Sequence, residues 1–384
     1  MSAPSFPVLP GRTLGIAGSG QLGRMTSIAA KQMGYRVVVL GPSPDDPAAQ
    51  VADAAIAAPL DDVQAGLWLA AESSVVTFEF ENVSSQLARA MEQRAPVLPR
   101  PEVLEIAQHR LREKEALTRI GAPTAPFRAV RSLGDLEEAL AAFGAPAILK
   151  TARGGYDGKG QALVESPRSA ADAFERLGGD RGELIAEAFV PFSKELSVIV
   201  ARGLNGRSAA FPVVENEHKG GILHRSIAPA RVPERVQKGA VRLALQVAEA
   251  LDVVGLLAVE MFYVEPDGLL VNELAPRPHN SGHFTLDACL TSQFEQHVRA
   301  VCGLPLGSVA QHSAAVMLNI LGEHMGALHR FLPELMSDPA LKLHLYGKGE
   351  ARAGRKMGHL TVLADDVSDA IERAERAWRL IESR

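Results

Sequence analysis

From residue 13 onward the chain alternates short, wholly apolar runs with runs of mixed polarity. TLGIAG (13–18) predicts a strand buried on both faces, GQLGRMTSIAAKQMG (20–34) a helix, YRVVVLG (35–41) a second strand and SVVTFEF (74–80) a later one. Apolar strands separated by helices predict a doubly wound parallel sheet. Pro96, Pro99 and Pro101 punctuate a linker. After it, VLEIAQHRLREKEALTRIG (103–121) reads as one amphipathic helix ending on Gly121.

A region of mixed α+β pattern follows. Ser132 and Asp135 have the spacing of a capping box for the helix LEEALAAF, Gly144 closes that helix, and PAILK is the next strand. ELIAEAFV and ELSVIVAR read as two strands paired with each other, and 234–254 as a long helix. A hairpin and an irregular stretch, PRPHNSGH (276–283), come next. From about residue 308 a small terminal domain is expected, with strands at AAVMLNIL, near KLHLYG and at HLTVLA, and a helix from Asp366.

The 384 residues suffice for two or three domains, and 47% hydrophobic residues suffice for their cores. A formal charge of −5 gives no general attraction to nucleic acid or to a membrane surface, so any anion site must be a local cluster of cations. Cys289 and Cys302 show no metal or redox spacing and are expected as buried, reduced thiols of a cytoplasmic protein. The start has no secretory pattern, and no uncharged apolar run approaches the roughly 18 residues a membrane span needs.

Chemistry gathers in four places. GSGQLG (18–23) follows a strand and opens a helix, matching G-x-G-x-x-G. A dinucleotide ribose needs an acid near the end of the second strand, but that strand ends Leu40-Gly41-Pro42-Ser43-Pro44, with Asp45 and Asp46 only after both prolines. The helix start is read instead as a phosphate site, because its N–H groups and dipole favour an anion.

The second place is ILKTARGGYDGKGQALV (148–164), where Gly154, Gly155, Gly158 and Gly160 enclose Tyr156, Asp157 and Lys159 just after Lys150 ends a strand. The third is the hairpin GLLAVEMFYV-EPDG-LLVNELAP. A four-residue loop at 265–268 pairs Val264 with Leu269 and stands Glu260 opposite Glu273. Opposed like charges destabilise a sheet. A cation between them removes the conflict, and oxygen-only ligands suit Mg²⁺ rather than zinc. A three-residue bulged loop would slip the register by one and send the glutamates to opposite faces. The fourth is YGKGEARAGRKMGH (346–359), whose Lys348, Arg352, Arg355 and Lys356 offer donors to a phosphate monoester, or else form a solvated face. The histidines form no HExxH, and Ser281 and Gly282 between His279 and His283 argue against zinc on a helix.

A lysine at a strand end, a glycine-rich loop and a hairpin with opposed glutamates together resemble the ATP-grasp superfamily. GSGQLGRM, TFEFENV, TARGGYDGKGQ, ENEHKGGILHRSIAPA, NELAPRPHNSGH and GRKMGH resemble, within it, the N5-carboxyaminoimidazole ribonucleotide synthetases, in order from about residue 12 to 363. The resemblance implies an α/β and α+β chain: a Rossmann-like pre-ATP-grasp domain over 1–108, an ATP-grasp domain over 109–307 with a lid at about 122–190, and a small domain over 308–384. It implies a ligase that carboxylates 5-aminoimidazole ribonucleotide with ATP and bicarbonate in purine biosynthesis, using Mg²⁺ and no biotin, in a cytoplasmic homodimer.

It also implies roles. Lys150 and Lys159 contact the ATP phosphates, Arg110 also serves the nucleotide, and the lid residues Gly155, Tyr156, Asp157, Gly158, Gly160 and Gln161 fold over ATP. Glu187, Ala188, Phe189 and Val190 offer backbone groups to adenine, Glu195 takes the ribose, and His218 lies close by. Asn272 joins Glu260 and Glu273 around magnesium. Gln21, Leu22, Glu79 and Asn280 face the substrate, and Lys348, Arg355 and Lys356 its 5′-phosphate. Asp157 is the candidate base, with Tyr156 and Lys348 beside it in catalysis. Two other readings stay open: a formate-dependent glycinamide ribonucleotide transformylase, which shares the hairpin and the basic run but would not be expected to carry the GGYDGKGQ lid, and a nucleotide-binding regulator without catalysis.

Overall fold

The computed structural model describes residues 6–155 and 158–382. Tyr156 and Asp157 lie outside the described residues. The first sheet holds β1 (Thr13–Ala17), β2 (Arg36–Gly41), β3 (Ala54–Ala57) and β4 (Val75–Phe78), all parallel in the order β3-β2-β1-β4. Its central strands are buried on both faces, as a parallel sheet covered by helices requires.

The linker helix is two helices, Pro101–Ala107 and Arg110–Arg119, where one was expected. Extended His109 (φ −138°, ψ 104°) separates them. The Gln108 side chain donates to the carbonyls of Glu81 and Val83 at 2.5 Å each, and Arg110 N–H donates to Ala152 O at 2.9 Å. These distant anchors outweigh the small local preference for continuing the helix, and they start the second helix at Arg110, beside the glycine-rich loop.

The lid sheet runs β5 (Phe127–Val130), β8 (Leu184–Ala188), β6 (Ala147–Thr151), β7 (Gln161–Val164), all antiparallel. Its helix Leu133–Phe143 carries the expected capping box: Ser132 Oγ accepts from Asp135 N–H at 3.2 Å and the Asp135 carboxylate from Ser132 N–H at 2.9 Å. Gly144, at φ 85°, ends it in a backbone conformation that suits glycine.

The large sheet holds β9 (Lys194–Arg202), β10 (Ser208–Ala210), β11 (Val214–Lys219), β12 (Ile222–Ala228), β13 (Gly255–Val264), β14 (Gly268–Ala275), β15 (Ala314–Leu321), β16 (Leu341–Leu345) and β17 (Lys356–Ala364). Its order is β14-β13-β9-β11-β12-β15-β17-β16, with β10 beside β9. One expectation changes here. β8 and β9 do not pair: β8 lies between β5 and β6, β9 between β13 and β11, and residues 189–193 cross from one sheet to the other. Both strands read alike in sequence, and it is this crossing that makes the cleft wall. The terminal strands continue the large sheet, since β15 pairs with β12.

Helix Glu234–Ala250 buries Val236, Ala240, Leu243, Ala244 and Val247, one stripe at helical spacing, against Val198, Val200, Leu257 and Val259. Each larger side chain buried there contributes about 1.5–3 kcal/mol, which makes this sheet a firm floor for the cleft. Both cysteines are unpaired and buried, and burial pushes their thiols up to about 12. Among the described residues no helix is long and apolar enough to cross a membrane.

Candidate active site

A cleft of about 870 Å³ runs between the first sheet, the lid and the floor of the large sheet. At its centre is the β13–β14 hairpin, whose register was reached by an unexpected route. Val264 pairs with Gly268, not Leu269, so the loop has three residues, 265–267, and the register starts slipped by one. It shifts back between Met261 and Glu260: Met261 pairs with Val271 and Glu260 with Glu273, leaving Asn272 as the extra residue of a β-bulge. The bulge undoes the slip, and the glutamates stand opposed.

Their electrostatics conflict. Burial opposes the charge on Glu260, but His279 Nε2 at 2.9 Å, with His218 and Arg277 beyond, outweighs it and lowers the pKa. Burial first, and then charged Glu260, raise that of Glu273. Asn272 Oδ1 is buried there with no hydrogen-bond partner. Among the described residues no three or more of His, Cys, Asp and Glu gather as a metal cage. Two carboxylates and an amide oxygen instead match how Mg²⁺ is held together with substrate phosphates, so this donor set fits that ion.

At the lid end of the cleft Lys150 donates to Glu187 at 3.0 Å, and Arg110 clamps the incoming lid arm through the carbonyls of Thr151, Gly154 and Gly155 at 2.6–3.0 Å. Gly155, Gly158, Lys159 and Gln161 line the cleft. Gly160 does not: it backs the lid turn, where a Cβ would lie 2.8 Å from Thr151 Oγ1. Glu187, Ala188, Phe189 and Val190 form the wall where β8 leaves its sheet. Of the expected adenine donors, Ala188 and Phe189 have their N–H groups already engaged by Pro126 and Pro146 carbonyls. Glu195 and His218 are in direct contact. Burial pulls the His218 pKa down, but Glu195 outweighs that and raises it.

At the other end stand Gln21, Leu22, Glu79, Asn280, Lys348, Arg355 and Lys356. Both polar atoms of the Asn280 side chain are buried without partners. The basic run is tied to the first domain where Gln50 Nε2 donates to Gly347 O at 2.7 Å, and Arg355 is braced on Glu350 O at 2.8 Å. At the helix start after β1 a protein carboxyl group takes one of the N–H groups expected to meet a phosphate: Glu79 accepts from Gly20 N–H. A Cβ on Gly18 would meet Glu79 Cβ at 2.4 Å, and one on Gly20 would meet Glu79 Oε1 at 2.2 Å. The G-x-G pattern makes room for a protein carboxylate.

Glu79 is 7% exposed, and burial raises its carboxyl to about 7 against the pull of Gly20 N–H, Lys348 and Gly23 N–H. From its ordinary 4.5 up to about 7 the folded protein holds a proton that the unfolded chain has lost, so this group's contribution to stability falls as pH rises through that window. Glu79→Gln is therefore expected to gain about 3 kcal/mol over the parent between roughly pH 4 and pH 8. Urea unfolding of both proteins at the two pH values measures it, and parallel pH profiles would refute a buried carboxyl.

Three pairs here escaped sequence reasoning. Arg277 and Glu81 form an ion pair on the cleft wall. His279 is a carboxylate partner rather than a metal ligand. Glu113 and Lys114, each 1% exposed, lie beneath the hairpin. Lys114 did leave a signal, since it falls in helical register with buried Leu111 and Leu117, a charge within an apolar stripe.

A lid sheet closing on a floor of opposed carboxylates is the architecture of an ATP-grasp protein, and the family model of the ATP-grasp domain matches residues 115–294. The models of the ribonucleotide synthetase preATP-grasp domain and the phosphoribosylaminoimidazole carboxylase C-terminal domain match 12–108 and 315–373. The N5-carboxyaminoimidazole ribonucleotide synthase of Bacillus subtilis (strain 168) is 45% identical over 371 residues, 97% of this chain and 96% of that protein. Among solved structures, the Staphylococcus aureus N5-carboxyaminoimidazole synthetase complexed with ADP superposes with a TM-score of 0.91 at 37% identity, covering 98% of this chain and 100% of that one. The Aspergillus clavatus synthase in complex with ADP and 5-aminoimidazole ribonucleotide gives 0.90 at 31%, covering 97% and 98%. The chain belongs to the N5-carboxyaminoimidazole ribonucleotide synthase family.

Proposed function

We propose that this protein carboxylates the exocyclic amine of 5-aminoimidazole ribonucleotide, consuming ATP and bicarbonate and yielding ADP, phosphate and the N5-carboxyamino product for purine biosynthesis. Beyond the family, one observation carries the reading: a single cleft joins Lys150 and the opposed Glu260 and Glu273 to a second anion-binding end at Lys348, Arg355 and Lys356. A nucleoside triphosphate and a ribonucleotide suit those two ends.

In the proposed sequence a bicarbonate oxygen attacks the γ-phosphorus of ATP and ADP leaves, giving carboxyphosphate. The substrate amine then attacks the carboxyl carbon, directly or as released CO₂, phosphate departs, and Asp157 accepts the amine proton. Bicarbonate is a modest nucleophile, so positioning and charge neutralisation carry the first step. Lys150, Lys159 and Arg110 hold the phosphates, and the lid keeps water from an intermediate that water would destroy. Mg²⁺ held by Glu260, Glu273 and Asn272 would neutralise phosphate charge. We read the working protein as a cytoplasmic homodimer.

ADP release, coupled to product analysis with bicarbonate or formate and with each acceptor, tests the reading. Turnover with formate and glycinamide ribonucleotide, and none with bicarbonate and 5-aminoimidazole ribonucleotide, would replace it with the transformylase activity. In the same assay Arg355→Ala is expected to raise the KM for the ribonucleotide roughly 10- to 150-fold, the worth of one charge-assisted pair, with little change for ATP. The opposite pattern would put the basic run on the nucleotide.

A further inference from the structure

We propose that Glu113 and Lys114 are positioning residues that pin the bulge at Asn272 and so hold Glu273 opposite Glu260. The inference rests on reading those carboxylates as the metal site, and it begins in the backbone of β14. Neighbouring carbonyls in a regular strand point to opposite edges. Around the bulge the carbonyls of Val271 and Asn272 instead converge on one ammonium, Lys114 Nζ, at 3.2 and 2.9 Å. Just beyond, Leu274 N–H donates to the Glu113 carboxylate at 3.0 Å. β14 is the last strand of its sheet, bridged on its open side by Thr124 at Val271, whose N–H donates to Pro123 O; among the described residues no strand there reaches Asn272 or Leu274, and buried backbone groups left unpaired are costly. Two consecutive side chains from a helix start supply what a neighbouring strand would otherwise give.

The alternative register shows why this matters. Without the bulge, the pairing that begins at Val264 and Gly268 would continue unbroken, Asn272 would stand opposite Glu260, and Glu273 would turn to the other face. Pinning the extra residue therefore decides whether both carboxylates reach the cleft. Lys114 also lies 3.7 Å from Glu187, the acceptor of Lys150, so one ammonium braces both the metal carboxylates and the phosphate lysine. Buried polar side chains are seldom the most stable filling for their space. Glu113 and Lys114 sit where backbone geometry has to be chosen.

Two readouts test the proposal in Glu113→Leu, Glu113→Gln, Lys114→Met and Lys114→Arg. One is amide hydrogen exchange over residues 271–275 in metal-free protein. The other is Mn²⁺ affinity by electron paramagnetic resonance with ATP present, set against ATP affinity in EDTA. Glu113→Leu and Lys114→Met are expected to speed exchange at the bulge and weaken Mn²⁺ binding about 10- to 100-fold, as loss of a ligand-orienting contact does. Glu113→Gln keeps an acceptor for Leu274 N–H and should stay near the parent in both. Lys114→Arg should recover part of the loss. If Lys114→Met does not fold, the Glu113 pair carries the test alone. A folded Glu113→Leu protein with parental exchange, or with parental Mn²⁺ affinity, overturns the proposal. Failure of the metal reading shows separately, as Glu273→Gln with undiminished Mn²⁺ affinity.

Discussion

Glu273→Gln is expected to cut ADP release about a thousandfold, the equivalent of roughly 4 kcal/mol of transition-state stabilisation, while leaving the protein at least as stable as the parent. The two halves of that expectation come from one feature. A neutral amide is a weak ligand for a hard cation, so removing the charge removes the metal's share of catalysis. The same charge faces Glu260 across a sheet, and relieving such opposition is worth about 0.2–1 kcal/mol in the folded protein. A variant that merely unfolds would lose both. Glu260→Gln should lose activity equally but gain less stability, because His279 then loses its carboxylate partner. Thermal unfolding without metal, beside ADP release with it, separates these effects. Near-parental turnover in either variant would remove the carboxylates from the chemistry.

The opposed glutamates also show how far the sequence could be read. The loop has three residues rather than four, and a bulge downstream restores the register. The bulge was invisible because its cause lies elsewhere: Glu113 and Lys114 satisfy β14 from a helix some 160 positions away along the chain. The buried strands were legible, since a run such as TLGIA has no polar face to expose. The capping box at Ser132 was legible because both partners lie within one turn. Where a segment's fate depends on distant contacts, local pattern misled. Gln108 reaches back to Glu81 and Val83 and breaks a helix that reads as continuous. β8 and β9 look like a pair and belong to different sheets. GSGQLG looks like a ligand loop, yet its first two glycines are sized by Glu79. Motif and resemblance named the cleft residues, but which of them brace one another required the fold.

Asp157→Asn is expected to leave ATP binding intact and lower carboxylated product by about 10²–10⁴, the usual worth of a positioned general base. Its neighbours Gly155 and Gly158 both line the cleft and both have positive φ, 79° and 76°. Backbone of that kind suits glycine and is free of side-chain strain, as a segment expected to close over ATP requires. Arg110 already holds the carbonyls of Gly154 and Gly155, so the chain leading up to Asp157 is anchored on the helix that starts at Arg110. The amine must lose a proton as its nitrogen bonds to carbon, and a carboxylate brought by the lid would meet it once ATP is in place. Asn keeps the size of Asp and one acceptor oxygen, and it loses the charge and the ability to accept the proton. A purely structural tip predicts the reverse: near-normal product with Asn, and weakened ATP affinity with Ala. ATP Kd and product formation measured in both variants distinguish the two, and near-normal carboxylation by Asp157→Asn ends the general-base role while leaving the lid's grip on the phosphates through Lys159 in place.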